Sequence, residues 1–305
     1  MGARPTTRPE DSETGLAPVR RIRLGYILHS LRHSRVAGLG AALVVVVVLV
    51  ALLGPLTSPR DPLEHNLRSR FKPPGFQDGS GVFLLGTDQL GRDILSRLIA
   101  GTRVSVIVGV LSVVIAGLIG VSYGLISGFA GGLVDNLMMR VADAFLAIPF
   151  IVLVVAVSGV VGAGLVTLIL ILGVTSWVTY ARVTRAEVLA VREMDYVMAA
   201  RALGQSGLKI MFKHILPNVT GSIIVLATMM VATTMLAEAA LSFLGLGVQP
   251  PTVTWGLMLS DGRQYIGSAW WMSTFPGIAI TLTVLGVVFL GDWLRDLLDP
   301  RLRGR

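Results

Sequence analysis

Two acidic residues lie inside long apolar stretches, where a carboxylate could bind a cation, line a polar path or hold a neighbouring helix. Glu238 is the single charged residue between positions 215 and 260, and Thr233, Thr234 and Ser242 are close enough in sequence to hydrogen-bond to it. A charge at the centre of a bilayer costs about 2.5–3.5 kcal/mol on insertion scales, so such a residue needs a partner. For Glu238 we favour a role in helix packing over a role in ion coupling.

Asp143 is the second intramembrane acid. It lies about 7.5 Å along a helix that starts near Met138, at 1.5 Å per residue, so its side chain is expected to reach the membrane interface and pair with Arg140. Pro149 in the same stretch is expected to kink the helix.

Other reactive groups are few. The chain has no cysteine, which excludes disulfides, thiolate metal sites and cysteine nucleophiles. Its four histidines occupy loop or surface positions, and no GxxxxGK[ST] motif is present to hold nucleotide phosphates. The sequence therefore predicts neither an ATPase site nor a metal or cofactor site within this chain, and a membrane-embedded hydrolase is improbable. The histidines are His29, His33, His65 and His214.

Composition places these residues in a membrane protein. Of 305 residues, 53% are hydrophobic and only 14% charged. Uncharged runs long enough for about 20 helical residues predict six transmembrane helices, and hence an all-α integral membrane protein. The predicted spans are 36–56, 104–134, two helices within 144–181 that fold back at 159–164, 220–246 and 264–291, the last introduced by Trp270 and Trp271 as interfacial anchors.

Basic residues set the expected orientation. They cluster at 20–35 and 295–305, so both termini are predicted to be cytoplasmic. Residues 1–19 have a disordered composition, and 20–35 form a basic amphipathic pattern typical of an interfacial helix. The remaining predicted divisions are an extracytoplasmic loop at 57–103, a transmembrane core at 104–295 and a cytoplasmic tail at 296–305.

The polar interlude at 188–219 predicts two short amphipathic helices on the cytoplasmic side. Tyr196, Ala199, Ala200 and Leu203 recur at helical spacing and form one flat face, which Gly204 ends. Ser206 is expected to cap the second helix and Pro217 to close it, with an apolar face of Leu208, Met211, Phe212 and Ile215. A pair of this kind suits a groove of another protein.

Residues 85–93, LGTDQLGRD, form a glycine-punctuated turn that feeds a short helix. Thr87 or Asp88 is expected to cap that helix, and Asp93 to pair with Arg97 at i+4.

These segments resemble a known family. Residues 196–204 with 215–217 are similar to the EAA signature of ABC importer permeases, although Met198 replaces the usual Glu. Segments 85–105, 143–149, 238–247 and 292–301 resemble the C-type permease of dipeptide, oligopeptide and nickel importers. The resemblance implies a type I ABC importer permease fold. It also implies that the coupling helices dock on an ATPase through Tyr196, Ala199, Ala200, Arg201, Leu203 and Gly204.

The same resemblance implies partners in a bacterial cell membrane. They are a second homologous permease, two ATPase subunits or one fused ATPase that bind ATP and Mg, an extracytoplasmic solute-binding protein and membrane lipids, without nucleic acid. Peptides are the favoured cargo, because the spans contain no histidine suited to nickel. Two alternatives remain. One is a nickel importer. The other, which is less favoured, is an ion-coupled secondary transporter, although the sequence lacks the internal repeats that such transporters often show.

Overall fold

Long apolar runs fold into long helices in the computed structural model, which describes residues 34–79 and 81–298. The predictions for 1–19, for most of 20–35 and for 299–305 lie outside these residues. The helices are α1 (Arg35–Thr57), α2 (Ile94–Ala130), α3 (Gly132–Leu146), α4 (Phe150–Val161), α5 (Leu165–Val191), α6 (Asp195–Ala202), α7 (Gly207–Ile210), α8 (Leu216–Phe243), α9 (Trp255–Gly262) and α10 (Trp271–Leu298). A π-helical turn, Met211–Ile215, joins α7 to α8, and short 3-10 turns cover Leu67–Ser69 and Arg263–Tyr265.

The expected all-α class and span count agree with this arrangement. Within the described residues, five helical stretches are long and apolar enough to cross a membrane, and the bent α3–α4 pair supplies a sixth if it forms one span. The only sheet in the described chain is a hairpin of β1 (Phe76–Asp78) and β2 (Gly81–Phe83), paired antiparallel with Phe76 opposite Phe83.

Several predicted helix limits are wrong. The second span begins at Ile94 rather than at residue 104, because Asp93 caps it. Pro217 does not close a helix but lies in the first turn of α8, directly after the π-helical turn. Residues 207–243 therefore run as one helical stretch. The last span starts at Trp271 and extends past Gly291 to Leu298.

Proline and glycine set the remaining breaks. Pro149 ends the helix instead of only kinking it as expected. It lies directly before α4, and the axes of α3 and α4 meet at 79°. The expected fold-back falls at Gly162, whose φ is +92°. The helix α8 ends at Phe243, ahead of the Pro250–Pro251 pair, and Gly245 follows it with a φ of +79°.

The core is built on the contact between α2 and α5, where glycines allow the two backbones to approach. A Cβ on Gly120 would lie 2.3 Å from the Trp177 carbonyl oxygen, and one on Gly124 would lie 2.5 Å from that of Ala181. Small residues at four-residue spacing are typical of close helix pairs in membranes. Helix α8 packs on both partners, while α1 and α10 pack together at the side. Residues 57–93 and α9 lie at one end, called the loop end, and α6 and α7 at the other, called the α6–α7 end.

Candidate functional site

The turn between α6 and α7 is a Schellman motif. Gly204 adopts a φ of +74°, its N–H donates to the Arg201 carbonyl at 3.0 Å, and the Gln205 N–H donates to the Ala200 carbonyl at 3.2 Å. This pattern satisfies the last carbonyls of α6 and requires a residue that tolerates positive φ. Gly204 therefore sets the turn, as its position in the sequence indicated.

The inner face of this segment differs from the expected one. Val197, Ala200 and Ile210 are buried in a cluster with residues from α2, α5 and α8. Ala200 thus packs inside its own chain, whereas Ala199 and Leu203 point outward, so the predicted flat face of four residues is wrong. The reason is geometric: α6 rests on the bundle through positions 197 and 200, and residue 199 lies about 100° away around a helix of 3.6 residues per turn.

Large apolar side chains remain on the outside of the segment. Leu203 is 82% exposed and Leu208 69% exposed, on either side of the Gly204 turn. We call the exposed set the apolar patch; it comprises Met194, Met198, Leu203, Leu208 and Phe212. Apolar residues concentrated in this way typically mark an interaction site.

Tyr196 and Arg201 have different surroundings. Arg201 is exposed. Tyr196 is half-buried, and its hydroxyl has no hydrogen-bond partner among the described residues. Burial raises the pKa of Tyr196 above its usual value, so the phenol is neutral at physiological pH. Its ring lies 6.5 Å from that of His214, between centroids. Ser206 makes no side-chain cap to α7, contrary to the sequence prediction.

Glu238 is enclosed between three helices and is only 1% exposed. The Ser242 hydroxyl donates to Oε1 at 2.8 Å and the Ser105 hydroxyl to Oε2 at 3.4 Å, and the Thr254 side chain lies close to the carboxyl group. Of the three hydroxyls expected nearby, Thr233 instead bonds to a carbonyl of its own helix. Neither Ser105 nor Thr254 could be found from sequence, since each lies on another element.

The Glu238 cluster also holds the start of α9. The backbone N–H of Trp255 donates to the Ser105 hydroxyl at 3.4 Å, and that of Leu257 donates to Thr254 Oγ1 at 3.1 Å. Both hydroxyls therefore connect the N-terminus of α9 to the carboxyl group. The packing role of Glu238 stays a prediction, and these are the contacts through which it would act.

Asp143 pairs with a residue far away in the sequence. Its Oδ1 lies 2.7 Å from Arg182 Nη2 on α5, and both side chains are 52% exposed. The expected pair with Arg140 does not form, because Arg182 on α5 takes that place. Arg140 is itself exposed.

A second pair, not anticipated from sequence, joins the same two helices. Arg185 donates two hydrogen bonds of 2.6 Å to the two oxygens of Asp135, and the Ser127 hydroxyl also donates to Oδ1. The Asp135 side chain is only 8% exposed. Its position just after the Gly131–Gly132 turn, in the first turn of α3, was the available signal.

At the loop end, the LGTDQLGRD segment forms a buried charge network. Asp88 accepts from Arg92 Nε at 2.6 Å and from Arg97, and Arg97 reaches Asp261 on α9 at 3.1 Å. The expected Asp93–Arg97 pair is wrong: Asp93 caps α2 by accepting from the Ser96 N–H at 2.8 Å.

Trp271 packs inside the same end of the molecule. Its indole N–H donates to the Thr87 carbonyl at 3.0 Å and its side chain is buried, so it is not the interfacial anchor that was expected. Trp270, which is exposed, fits that description.

The described residues thus combine helices long and apolar enough to cross a membrane with an apolar patch exposed around a tight turn, which is typical of a membrane protein that binds a partner. The chain belongs to the family of binding-protein-dependent transport system inner membrane components, whose model matches residues 120–304. Residues 23–74 match the N-terminal transmembrane domain of oligopeptide transport permease C. The protein is thus a multi-pass permease of the dipeptide and oligopeptide ABC type.

Curated relatives align along nearly the whole chain. It is 43% identical to the di/tripeptide transport system permease protein DppC of Pseudomonas aeruginosa, over 90% of this chain and 91% of that protein. It is 41% identical to the oligopeptide transport system permease protein OppC of Bacillus subtilis, over 89% of this chain and 88% of that one. In an inward-facing structure of the MetNI methionine ABC transporter, a chain 21% identical superposes with a TM-score of 0.55, over 67% of this chain and 96% of that one, which supports the type I fold.

Proposed function

We propose that this chain forms half of the translocation path of an ATP-driven importer of di- or oligopeptides. Relatives that are named dipeptide, di/tripeptide and oligopeptide transport permeases support peptides over nickel as cargo. Its partners in this proposal are a second homologous permease, a solute-binding protein outside the membrane and membrane lipids. Both termini and the α6–α7 end face the cytoplasm, in keeping with the distribution of Lys and Arg.

The energy comes from partner ATPases, either two subunits or one fused chain, which bind ATP and Mg. In this proposal the permease itself is not an enzyme and holds no cofactor. The observation that carries the proposal is the apolar patch on both sides of the Gly204 turn. Its underlying segment is fixed from inside by Val197, Ala200 and Ile210, so the docking surface is rigid before the partner arrives. A rigid surface binds with little ordering cost.

The corrected geometry changes which residues dock. Leu203, Gly204, Ala199 and Arg201 are exposed and available to an ATPase groove. Tyr196 and Ala200 act from beneath, by holding α6 against the bundle.

Coexpression of the importer subunits tests the proposal. Exchange of both Leu203 and Leu208 for Asp should abolish copurification of the ATPases while leaving the permease folded, because charged residues cannot enter an apolar groove. The matched control is Leu67→Asp with Leu84→Asp, exposed leucines at the loop end, which should leave ATPase recovery unchanged. Normal ATPase recovery with the first variant contradicts the docking assignment. Uptake of radiolabelled dipeptide by proteoliposomes tests the cargo.

A further inference from the structure

Exposed polar side chains form a strip along α3 and α5. On α3 they recur at i, i+4 and i+7, and on α5 at i and i+3, so each set shares one helix face. The Asp143–Arg182 pair joins the two sets. The members are Asn136, Arg140 and Asp143 on α3 and Thr179 and Arg182 on α5, which we call the polar strip.

The strip lies on α5, which is long and apolar enough to cross a membrane, and on α3 of the bent α3–α4 pair, where Asp143 and Arg182 flank the uncharged run 144–181. Charged groups do not face lipid tails; within spans they face water or another protein chain, and they commonly mark substrate pathways. With half of each side chain exposed, Asp143 and Arg182 need such an environment.

Comparison with Asp135 and Arg185 shows that the exposed pair is not required to join α3 to α5. The buried pair already joins these helices through two hydrogen bonds, with Ser127 as a third donor to Asp135. The exposed pair has one contact, between Arg182 Nη2 and Asp143 Oδ1. Among the described residues, Asp143 Oδ2 and the other guanidinium nitrogens of Arg182 make no hydrogen bond. These atoms are available to a ligand.

We propose that Asp143 and Arg182 form a subsite for the charged termini of a zwitterionic peptide. This inference rests on the proposed function. Arg182 binds the terminal carboxylate, for which a planar guanidinium offers two parallel donors, and Asp143 binds the terminal ammonium group. Each charge is paired with the other before the peptide arrives and with a peptide terminus afterwards.

Such an exchange suits transport, because a path must bind its cargo and then release it. When the peptide leaves, Asp143 and Arg182 pair again, so neither charge is left without a partner. A site of this kind recognises free termini rather than side chains, which fits a carrier of peptides of varied sequence.

The test uses the complete importer in proteoliposomes and three probes: alanylalanine, its C-terminal amide and its N-acetyl form. Uptake is normalised to the amount of probe bound to the solute-binding protein. This separates the selectivity of the permease from the selectivity of the solute-binding protein. We expect the unmodified complex to favour alanylalanine over the amide by about tenfold or more, as for loss of a charge-assisted hydrogen bond. Arg182→Gln should remove the preference for alanylalanine over the amide. Asp143→Asn should remove the preference for alanylalanine over the N-acetyl form.

The double variant Asp143→Asn with Arg182→Gln leaves no unpaired charge and should assemble, with both preferences lost. Asp135→Asn is the structural control and should reduce recovery of the permease without changing either preference. Retained preferences in the single or double variants overturn the subsite. Loss of the second permease from the double variant also overturns it, since the pair would then be a contact between permeases. Absence of dipeptide uptake by the unmodified complex overturns the proposed function and the subsite with it.

Discussion

The two motif segments of the molecule differ in burial: residues 85–93 at the loop end are all buried or half-buried, whereas most of residues 196–204 at the α6–α7 end are exposed. At the loop end, Arg97 is 2% exposed and is neutralised by Asp88 and Asp261, and Trp271 fills the space behind them. At the α6–α7 end, Leu203 and Leu208 extend into solvent. The first segment is therefore held within its own chain, whereas the second has exposed side chains that the ATPase of the proposed assembly would cover. This difference separates residues needed for the fold from residues needed for assembly.

The largest effect is expected at the loop end. Arg97→Met removes one of the two cations that pair with Asp88 and a partner of Asp261, and loss of one partner of a buried pair costs about 3–5 kcal/mol. The thermal unfolding midpoint of the purified permease should fall clearly. Arg103→Met is the matched control, because Arg103 is exposed on the same helix and should cost about 0.5 kcal/mol or less. Equal midpoints for the two variants would mean that the network does not stabilise the loop end.

Adjacent alanines at the α6–α7 end provide the next prediction. Ala200→Trp forces a large ring into the cluster with Val197 and should destabilise the permease by about 1–3 kcal/mol or more, by overpacking. Ala199→Trp places the same ring outside and should leave the unfolding midpoint unchanged while reducing ATPase recovery. Thermal unfolding and copurification are measured on both. If Ala199→Trp destabilised and Ala200→Trp did not, the assignment of inner and outer faces would be reversed.

The Gly204 turn should show a smaller effect. A β-branched side chain at a φ of +74° costs about 1–2 kcal/mol, so Gly204→Val should shift α7 and weaken ATPase recovery. Gly204→Asn is the control, because asparagine tolerates this conformation. Within the described part of the chain, no atom beyond the two adjacent residues lies within 4 Å of a Cβ at this position, so the effect is conformational rather than steric. Equal ATPase recovery with Val and Asn would show that the turn has little influence on docking.

These comparisons also show what the sequence could predict. The spans followed from uncharged runs, and the Gly204 turn followed from one glycine between two amphipathic patterns. The inner face of α6 was mistaken because Ala199 and Ala200 are the same residue type, and only the packing of Val197 onto α2 and α5 distinguishes them.

Charge pairing was the least predictable feature, because a sequence indicates only those pairs that lie three or four residues apart on one helix. Arg97 instead pairs with Asp261, 164 positions away, and Asp143 with Arg182, 39 positions away. Those partners depend on how α2, α3, α5 and α9 pack, which no local pattern specifies.

Glu238 should give the smallest effect, although it connects the loop end to the long helices. Its contacts with Ser105 and Thr254 link α8 to α2 and α9. Glu238→Gln keeps the size and one acceptor oxygen, and the hydroxyls can rotate to suit the amide, so the stability change should be about 1 kcal/mol or less. Transport should stay within a few-fold of the parent. Glu238→Leu leaves the hydroxyls without their acceptor and should lower the yield of assembled complex. Complete loss of transport in a normally assembled Gln variant would contradict the packing role, since only a carboxylate acting on the cargo or an ion would explain it.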